Sequence, residues 1–508
     1  MGRPDVLFDV TAFLSPTIAA GLVGALGMSP AVPPVTSATI ADALARPAIV
    51  ATVPGPVGVD AGTPQPFIGP DPVGGGQSLD AIARFDGVAL LDQLVRLSPT
   101  ARSEFVGRYP EAIAELTASP PSAVAAAKWW ARTAPAARTA LAADLPGVVG
   151  NLEGVPYGVR DSANRALLAS TVSGIRAQLD AGVGRAMEDE LRARLRMLTA
   201  VEDALRPGAS GERHRLVSLD VEGTGRAVVV IGDLESADFI TFFVPGMYIG
   251  VADQLGGWTE FAETSLVEQT EWLDRLGMEG EVATVAWIGY HTPTLVNVSS
   301  MDLAYEGRDA LTASLQGLAT VNGGLGPFST QGGSPAGTVS GAISGAGRVA
   351  GAVPGSAIPS GTLEPGDGRP YVTVVAHSYG STAAMLALQQ NPVSVDALVV
   401  VGSPGSPVGN VADLKVPGGN VWVGAADTDP VPTSGVFGSQ PLDADFGAKR
   451  FSVRATVDPI TGEQLDDITG HVYYFWPGTT SVRNTALIAI GHGALATTDG
   501  AVTRAAAR

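Results

Sequence analysis

The chain has 508 residues, 45% of them hydrophobic, with no cysteine and a formal net charge of −19 carried against only 31 Lys and Arg. That size and apolar content allow one large domain with a substantial extra region, or two to three domains. The acidic balance makes nucleic acid and anionic membrane poor partners, and the lack of cysteine excludes disulfides, thiol nucleophiles and Cys-ligated metals while leaving the compartment open.

The N-terminus is not a clean export signal. Asp5 and Asp9 follow Arg3, and Pro16 breaks the first apolar run. The stretch 13–28 reads as an ordinary apolar segment, so stable membrane insertion is not expected, and a cytoplasmic location is favoured over export. Residues 1–85 form an irregular segment rich in Pro and Gly, exemplified by Pro30-Ala31-Val32-Pro33-Pro34 and Gly74-Gly75-Gly76. A helical region, 86–207, follows. It contains alanine-rich runs at 112–116 and 122–139, the pair Trp129-Trp130, a helix opening at Asp161 and a helix over 188–205. In that last helix Leu191, Leu195, Leu198 and Leu205 form the apolar stripe, and Arg192, Arg194 and Arg196 make a solvated face.

The period then changes. Runs 214–220 and 226–231, joined by Glu222-Gly223-Thr224-Gly225, predict a hairpin. Strands are expected at 239–244, 282–288, 372–377, 397–401, 421–425 and 450–457, with helices over 261–276, 301–319 and after Ser378. This alternation predicts an α/β fold with a mostly parallel central sheet flanked by helices, here a domain spanning 208–492. A Gly-, Ser- and Pro-rich insert at 322–369 reads as flexible, and 493–508 as a disordered tail.

The chemistry concentrates at Ala376-His377-Ser378-Tyr379-Gly380-Ser381. An apolar strand ends at a serine between small residues, and a helix begins at once. This is the geometry of a nucleophile elbow. A serine needs a base, and the base needs an acid to hold its tautomer. In the elbow arrangement both follow the serine, acid first. Of the histidines after Ser378, His471 sits in the loop where that order requires the base, and His492 near the tail is the alternative. The acid falls at Asp427-Thr428-Asp429-Pro430. Asp429 is preferred because Pro430 restricts its backbone, with Asp427 as the alternate. Two oxyanion donors are expected, the amide of Tyr379 and that of Met247 in the turn after 239–244, with Gly246 or Tyr248 as substitutes for Met247.

The elbow, Val244-Pro245-Gly246-Met247, Trp287-Ile288-Gly289-Tyr290 with Pro293, and Gly402-Ser403-Pro404-Gly405 together resemble the actinobacterial α/β-hydrolase family described as domain of unknown function 1023. Asn151-Leu152-Glu153-Gly154-Val155-Pro156, with Arg160-Asp161 and Ala163-Asn164-Arg165, resembles the lead-in that often precedes that domain. The similarity covers about residues 120–492. It implies an α/β-hydrolase fold with Ser378 as nucleophile, Asp429 as acid and His471 as base. Two departures stand out: Ala376 replaces the usual first glycine, and the 322–369 insert is long.

The function expected is hydrolysis of an ester or related acyl bond through an acyl-enzyme on Ser378, acting on an acyl-containing small molecule. The alternatives are an acyltransferase, or a noncatalytic binding or structural protein with a hydrolase-like shell. No cofactor and no metal are expected, since the five histidines form no cluster with ligand spacing.

Overall fold

Alternation of strand and helix governs the computed structural model, which describes residues 78–323, 369–389 and 393–499. The Pro- and Gly-rich stretch up to 77, the insert between 324 and 368, and the tail from 500 lie outside the described residues. From Ile82 onward the chain forms one unit.

The first part is helical: α1 (Gly87–Arg96), α2 (Pro99–Arg108), α3 (Pro110–Ala118), α4 (Ala123–Arg132), α5 (Pro135–Asp144), α6 (Pro146–Val149), α7 (Tyr157–Ala181) and α8 (Arg185–Ala204). Proline opens α2, α3, α5 and α6, where its missing N–H costs nothing and its fixed φ suits the first turn. The alanine-rich run 122–139 is therefore two helices, divided at Pro135. Ser98 and Ser122 cap α2 and α4 with their side chains. Helix α7 starts four residues before Asp161, directly after Pro156. On α8, Leu191, Met197, Leu198 and Val201 are buried, while Arg192 and Arg194 pair with Glu188 and Glu222.

The second part alternates: β1 (His214–Asp220), β2 (Arg226–Ile231), β3 (Phe239–Val244), α9 (Val251–Leu276), β4 (Val282–Ile288), α10 (Asp302–Asn322), β5 (Tyr371–His377), α11 (Tyr379–Gln389), β6 (Ala397–Val401), β7 (Val421–Gly424), β8 (Lys449–Arg450), β9 (Thr456–Val457), β10 (Gln464–Leu465) and α12 (Thr480–Ala489). The first eight strands form one sheet in the order β1-β2-β4-β3-β5-β6-β7-β8. The β1–β2 hairpin is antiparallel, β2 runs antiparallel to β4, and every pairing from β4 to β8 is parallel. Helix α9 begins ten residues before its expected start, because Leu255 and Trp258 are buried on either side of the Gly256-Gly257 pair.

Residue alternation sends each strand's side chains to opposite helical layers. Phe243, Ala286, Ile288 and Val375 join a core cluster with residues of α9 and α12. On the other face Trp287 reaches α10, where its indole donates to Ser314 Oγ at 3.1 Å. The central strands β3 and β5 are buried along their whole length and so read as unbroken apolar runs.

The edge strand β1 is closed by side chains from the helical region. The Leu216 amide donates to Asp161 Oδ1 (2.8 Å) and its carbonyl accepts from Asn164 Nδ2 (3.0 Å). Three residues on, the Leu219 amide donates to Asn151 Oδ1 (2.8 Å) and its carbonyl accepts from Asn151 Nδ2 (2.9 Å). An exposed edge would offer these groups to another chain. The Asn151–Arg165 stretch thus completes the sheet, braced by the Arg160–Glu153 ion pair and by Arg165 on Asp161.

The run 450–457 is not one strand. Only Lys449–Arg450 pairs with β7, and Thr456–Val457 pairs with β10 instead. Between them Ser452 spends its amide on the Thr497 carbonyl (2.7 Å) and its carbonyl on Asn484 Nδ2 (2.8 Å), so no ladder can form there. The same contacts tie down residues 493–497, which composition alone assigns to the tail. Thr497 also receives a bond from Asn484 on its hydroxyl and donates its amide to Asn484 Oδ1.

Candidate active site

Strand β5 passes into α11 through Ser378, which has φ of +55°. A non-glycine residue in this region is strained and is held there by its surroundings. The fit is tight. A β-carbon on Gly380 would stand 2.2 Å from the Pro245 carbonyl oxygen, and one on Gly246 would stand 2.5 Å from the Ser378 β-carbon. Both glycines are therefore required by close approach of the turn after β3 to the elbow. Ala376, in place of the usual glycine, is fully buried and pairs in register with Val244.

Two later loops converge on Ser378. The loop after β7 carries Asp429, and the loop after β10 carries His471. His471 Nε2 lies 2.7 Å from Ser378 Oγ, and His471 Nδ1 lies 2.9 and 3.0 Å from the two Asp429 oxygens. The carboxylate can only accept, so Nδ1 carries the proton and Nε2 is left to accept from the serine hydroxyl. Asp429 also accepts from Tyr474 Oη (2.7 Å) and from the Val431 amide (3.0 Å). Burial alone would raise its pKa, but the hydrogen bonds and charge of His471, with those from Tyr474 and Val431, outweigh it and hold the carboxyl below its usual range. The loops are also joined directly, the Gly470 amide donating to Thr428 Oγ1 at 2.7 Å.

Asp427 lies elsewhere: it is exposed and pairs with Arg454 at 2.8 Å. His492 caps a 3-10 turn, Gly493–Leu495, and its amide bonds to the Leu487 carbonyl. Of the two aspartates and two histidines weighed from the sequence, the fold brings Asp429 and His471 to Ser378.

Of the amides expected from the sequence as oxyanion donors, one is already engaged. Tyr248 has φ of +61° and spends its amide on the Pro293 carbonyl at 2.9 Å. Met247 precedes it, and Tyr379 opens α11. Among the described residues neither of these amides has a backbone acceptor, and the same holds for the amide of Gly246. At the helix N-terminus such an amide also sits in a favourable field for negative charge. The Tyr379 ring points away from this task. Its hydroxyl donates to the Ser300 carbonyl (2.5 Å) and accepts from the Ala304 amide (2.9 Å), and burial pushes its pKa up to about 12.

Three residues of the site carry no role in the sequence reading. His377 is buried beneath His471, with ring centroids 4.7 Å apart, and its Nε2 lies 2.7 Å from the His471 carbonyl oxygen. Tyr474 donates to Asp429, as above. Gly402, at φ of +61°, lies against both His471 and Asp429. The signals were present: a histidine inside the elbow, an aromatic run two residues beyond His471, and a glycine-bounded motif after β6. Among the described residues no group of His, Asp and Glu could hold a metal ion, and no helix is long and apolar enough to cross a membrane.

Residues 220–342 and 356–438 match a family model described as alpha/beta hydrolase, and the fold is of that type, with a helical N-terminal extension. An uncharacterized protein of Mycobacterium tuberculosis strain H37Rv is 26% identical over 419 residues, covering 73% of this chain and 56% of that protein. An uncharacterized protein of Mycobacterium bovis is 26% identical over 273 residues, covering 52% of this chain and 84% of that one. The chain is thus homologous to uncharacterized mycobacterial proteins, and its match spans little more than half the length of the M. tuberculosis relative. Among solved structures, a thermostable esterase from Pseudomonas putida aligns with a TM-score of 0.28 at 12% identity, covering 64% of this chain and 95% of that chain.

Proposed function

We propose that this protein is a serine hydrolase that cleaves an ester or related acyl bond of a small molecule through an acyl-enzyme on Ser378. One observation carries the reading: the His471 imidazole reaches Ser378 Oγ with one nitrogen and Asp429 with the other. In this mechanism Ser378 Oγ attacks the acyl carbonyl while its proton passes to His471 Nε2. Asp429 keeps the Nδ1–H tautomer before the step and offsets the imidazolium charge after it. The tetrahedral oxyanion is held by the amides of Tyr379 and Met247. His471 then gives its proton to the departing alcohol. Water attacks the acyl-enzyme, its proton returns through His471, and the carboxylic acid leaves with Ser378 restored. The elbow and the motifs around Gly246, Gly289 and Gly402 support assignment to the group described as domain of unknown function 1023.

The test is covalent labelling. A fluorophosphonate should add once to the intact protein, and the adduct should be absent from Ser378→Ala. An unlabelled but folded parent would sink the proposal.

A further inference from the structure

We infer that His377, the residue before the nucleophile, is a positioning residue that fixes His471 by donating from Nε2 to the His471 main-chain carbonyl. This rests on the reading of Ser378, His471 and Asp429 as the catalytic set. The carbonyl oxygen can only accept, so at 2.7 Å His377 Nε2 must carry the proton. His377 is the last residue of β5, and its neighbour Ser378 is held by a hydrogen bond that its backbone amide donates to the Val401 carbonyl at 3.0 Å. The bond from His377 therefore ties the backbone of the base directly to the strand that presents the nucleophile. His471 stands on an irregular loop after β10, where no ladder fixes its height above the sheet. Together with the Gly470–Thr428 contact and the Tyr474 bonds to Asp429 and Ala426, the His377 bond anchors that loop to the site, and it alone of these acts on the His471 backbone.

The surroundings keep His377 in the donating, neutral form. Its ring packs against His471 and also against Tyr474 and Phe475, with centroids 5.8 and 6.0 Å away. Burial, and after it the nearby His471, pushes its pKa down to about 3. A charged ring there would also oppose the imidazolium that forms on His471 during turnover. The residue thus supplies a proton donor without supplying charge.

The experiment compares side chains that keep or lose the donor. In His377→Gln the amide nitrogen can reach the same carbonyl; in His377→Phe and His377→Leu the volume is filled and no donor remains. With p-nitrophenyl acetate, kcat of the Phe and Leu variants should fall on the order of 10- to 100-fold, as expected for a displaced catalytic group. KM should stay within about twofold, and the Gln variant should recover most of the loss. A second readout needs no turnover. The parent should show a downfield proton resonance from His471 Nδ1–H against Asp429, identified by its absence in His471→Ala. It should weaken or vanish in the Phe and Leu variants and persist in Gln. Equal losses in Gln and Phe, or a resonance in Phe like that of the parent, would overturn the inference. A parent that is neither labelled nor active would instead defeat the hydrolase reading, and the resonance comparison would still decide what His377 does.

Discussion

Gly402 leaves no space between its α-carbon and His471: a β-carbon there would stand 3.0 Å from the ring Cε1 and 3.1 Å from Asp429 Oδ2. The residue also sits at φ of +61°, where any side chain is strained. Gly402→Ala therefore combines a backbone cost of about 1–2 kcal/mol with a push on the His471 ring. Its melting temperature should drop by only a few degrees, yet ester turnover should fall about 10- to 100-fold. Parent-like kcat in a folded Gly402→Ala protein would show that the His471 ring can shift without consequence.

Asp429→Asn preserves volume but replaces an acceptor-only group by an amide that can donate to Nδ1 and so favour the wrong tautomer. By analogy with serine triads, turnover should fall about 10²- to 10⁴-fold. Asp427→Asn removes only an exposed pair with Arg454 and should leave kcat close to that of the parent. The opposite ranking of the two variants would move the acid to Asp427.

The sequence carried the sheet well because β3, β4, β5 and β6 are short apolar runs bounded by turn residues, and chain order alone put Ser378, Asp429 and His471 in sequence. It carried the helix starts less well. The helix is expected over 261–276, yet tertiary burial of Leu255 and Trp258 carries it back to Val251 through the paired glycines. The stretch 450–457 is expected as one strand, but Ser452 finds its partners in Asn484 and Thr497. His377 and Tyr474 stood out in the sequence by type and place, but their partners did not. Their roles are hydrogen bonds to residues 94 and 45 positions away, and no local pattern encodes such a contact.

Closure of the β1 edge gives a stability prediction independent of chemistry. Asn164 is fully buried, and its amide nitrogen serves the carbonyls of both Gly150 and Leu216. Asn164→Ala leaves the Leu216 carbonyl dry, while the Gly150 carbonyl keeps its bond from Arg160 Nε at 3.2 Å, so the cost is about 1–3 kcal/mol for the one buried group left unpaired. Urea midpoints should fall with an unchanged slope. Three strands separate β1 from β5, so kcat per folded molecule should hold. A variant as stable as the parent would mean that water replaces the amide at this edge.

Acid should weaken the fold through His377 before it reaches the carboxylates. The ordinary histidine value is 6.5, and the folded value is pushed down to about 3. Between those limits the unfolded chain binds one more proton at this site than the native protein. Its contribution to stability is complete above pH 6.5 and declines as pH falls toward 3, on the order of 1 kcal/mol per pH unit. Asp429 acts with the same sign lower down: its pKa is depressed below 3.8, so its contribution is present above that value and lost as pH falls through the folded one. His291 acts with the opposite sign. Its bond to Glu306 raises its pKa, so its contribution is full below 6.5 and lost as pH rises; at a half-exposed site solvent keeps that small. The net expectation between pH 7 and 5 is set by His377. Urea unfolding at pH 7, 6 and 5 should show the parent losing stability more steeply than His377→Gln, which has nothing to titrate at that position. Parallel slopes for the two proteins would mean that His377 takes up its proton in the native state without penalty, and the buried neutral ring beneath His471 would have to be abandoned.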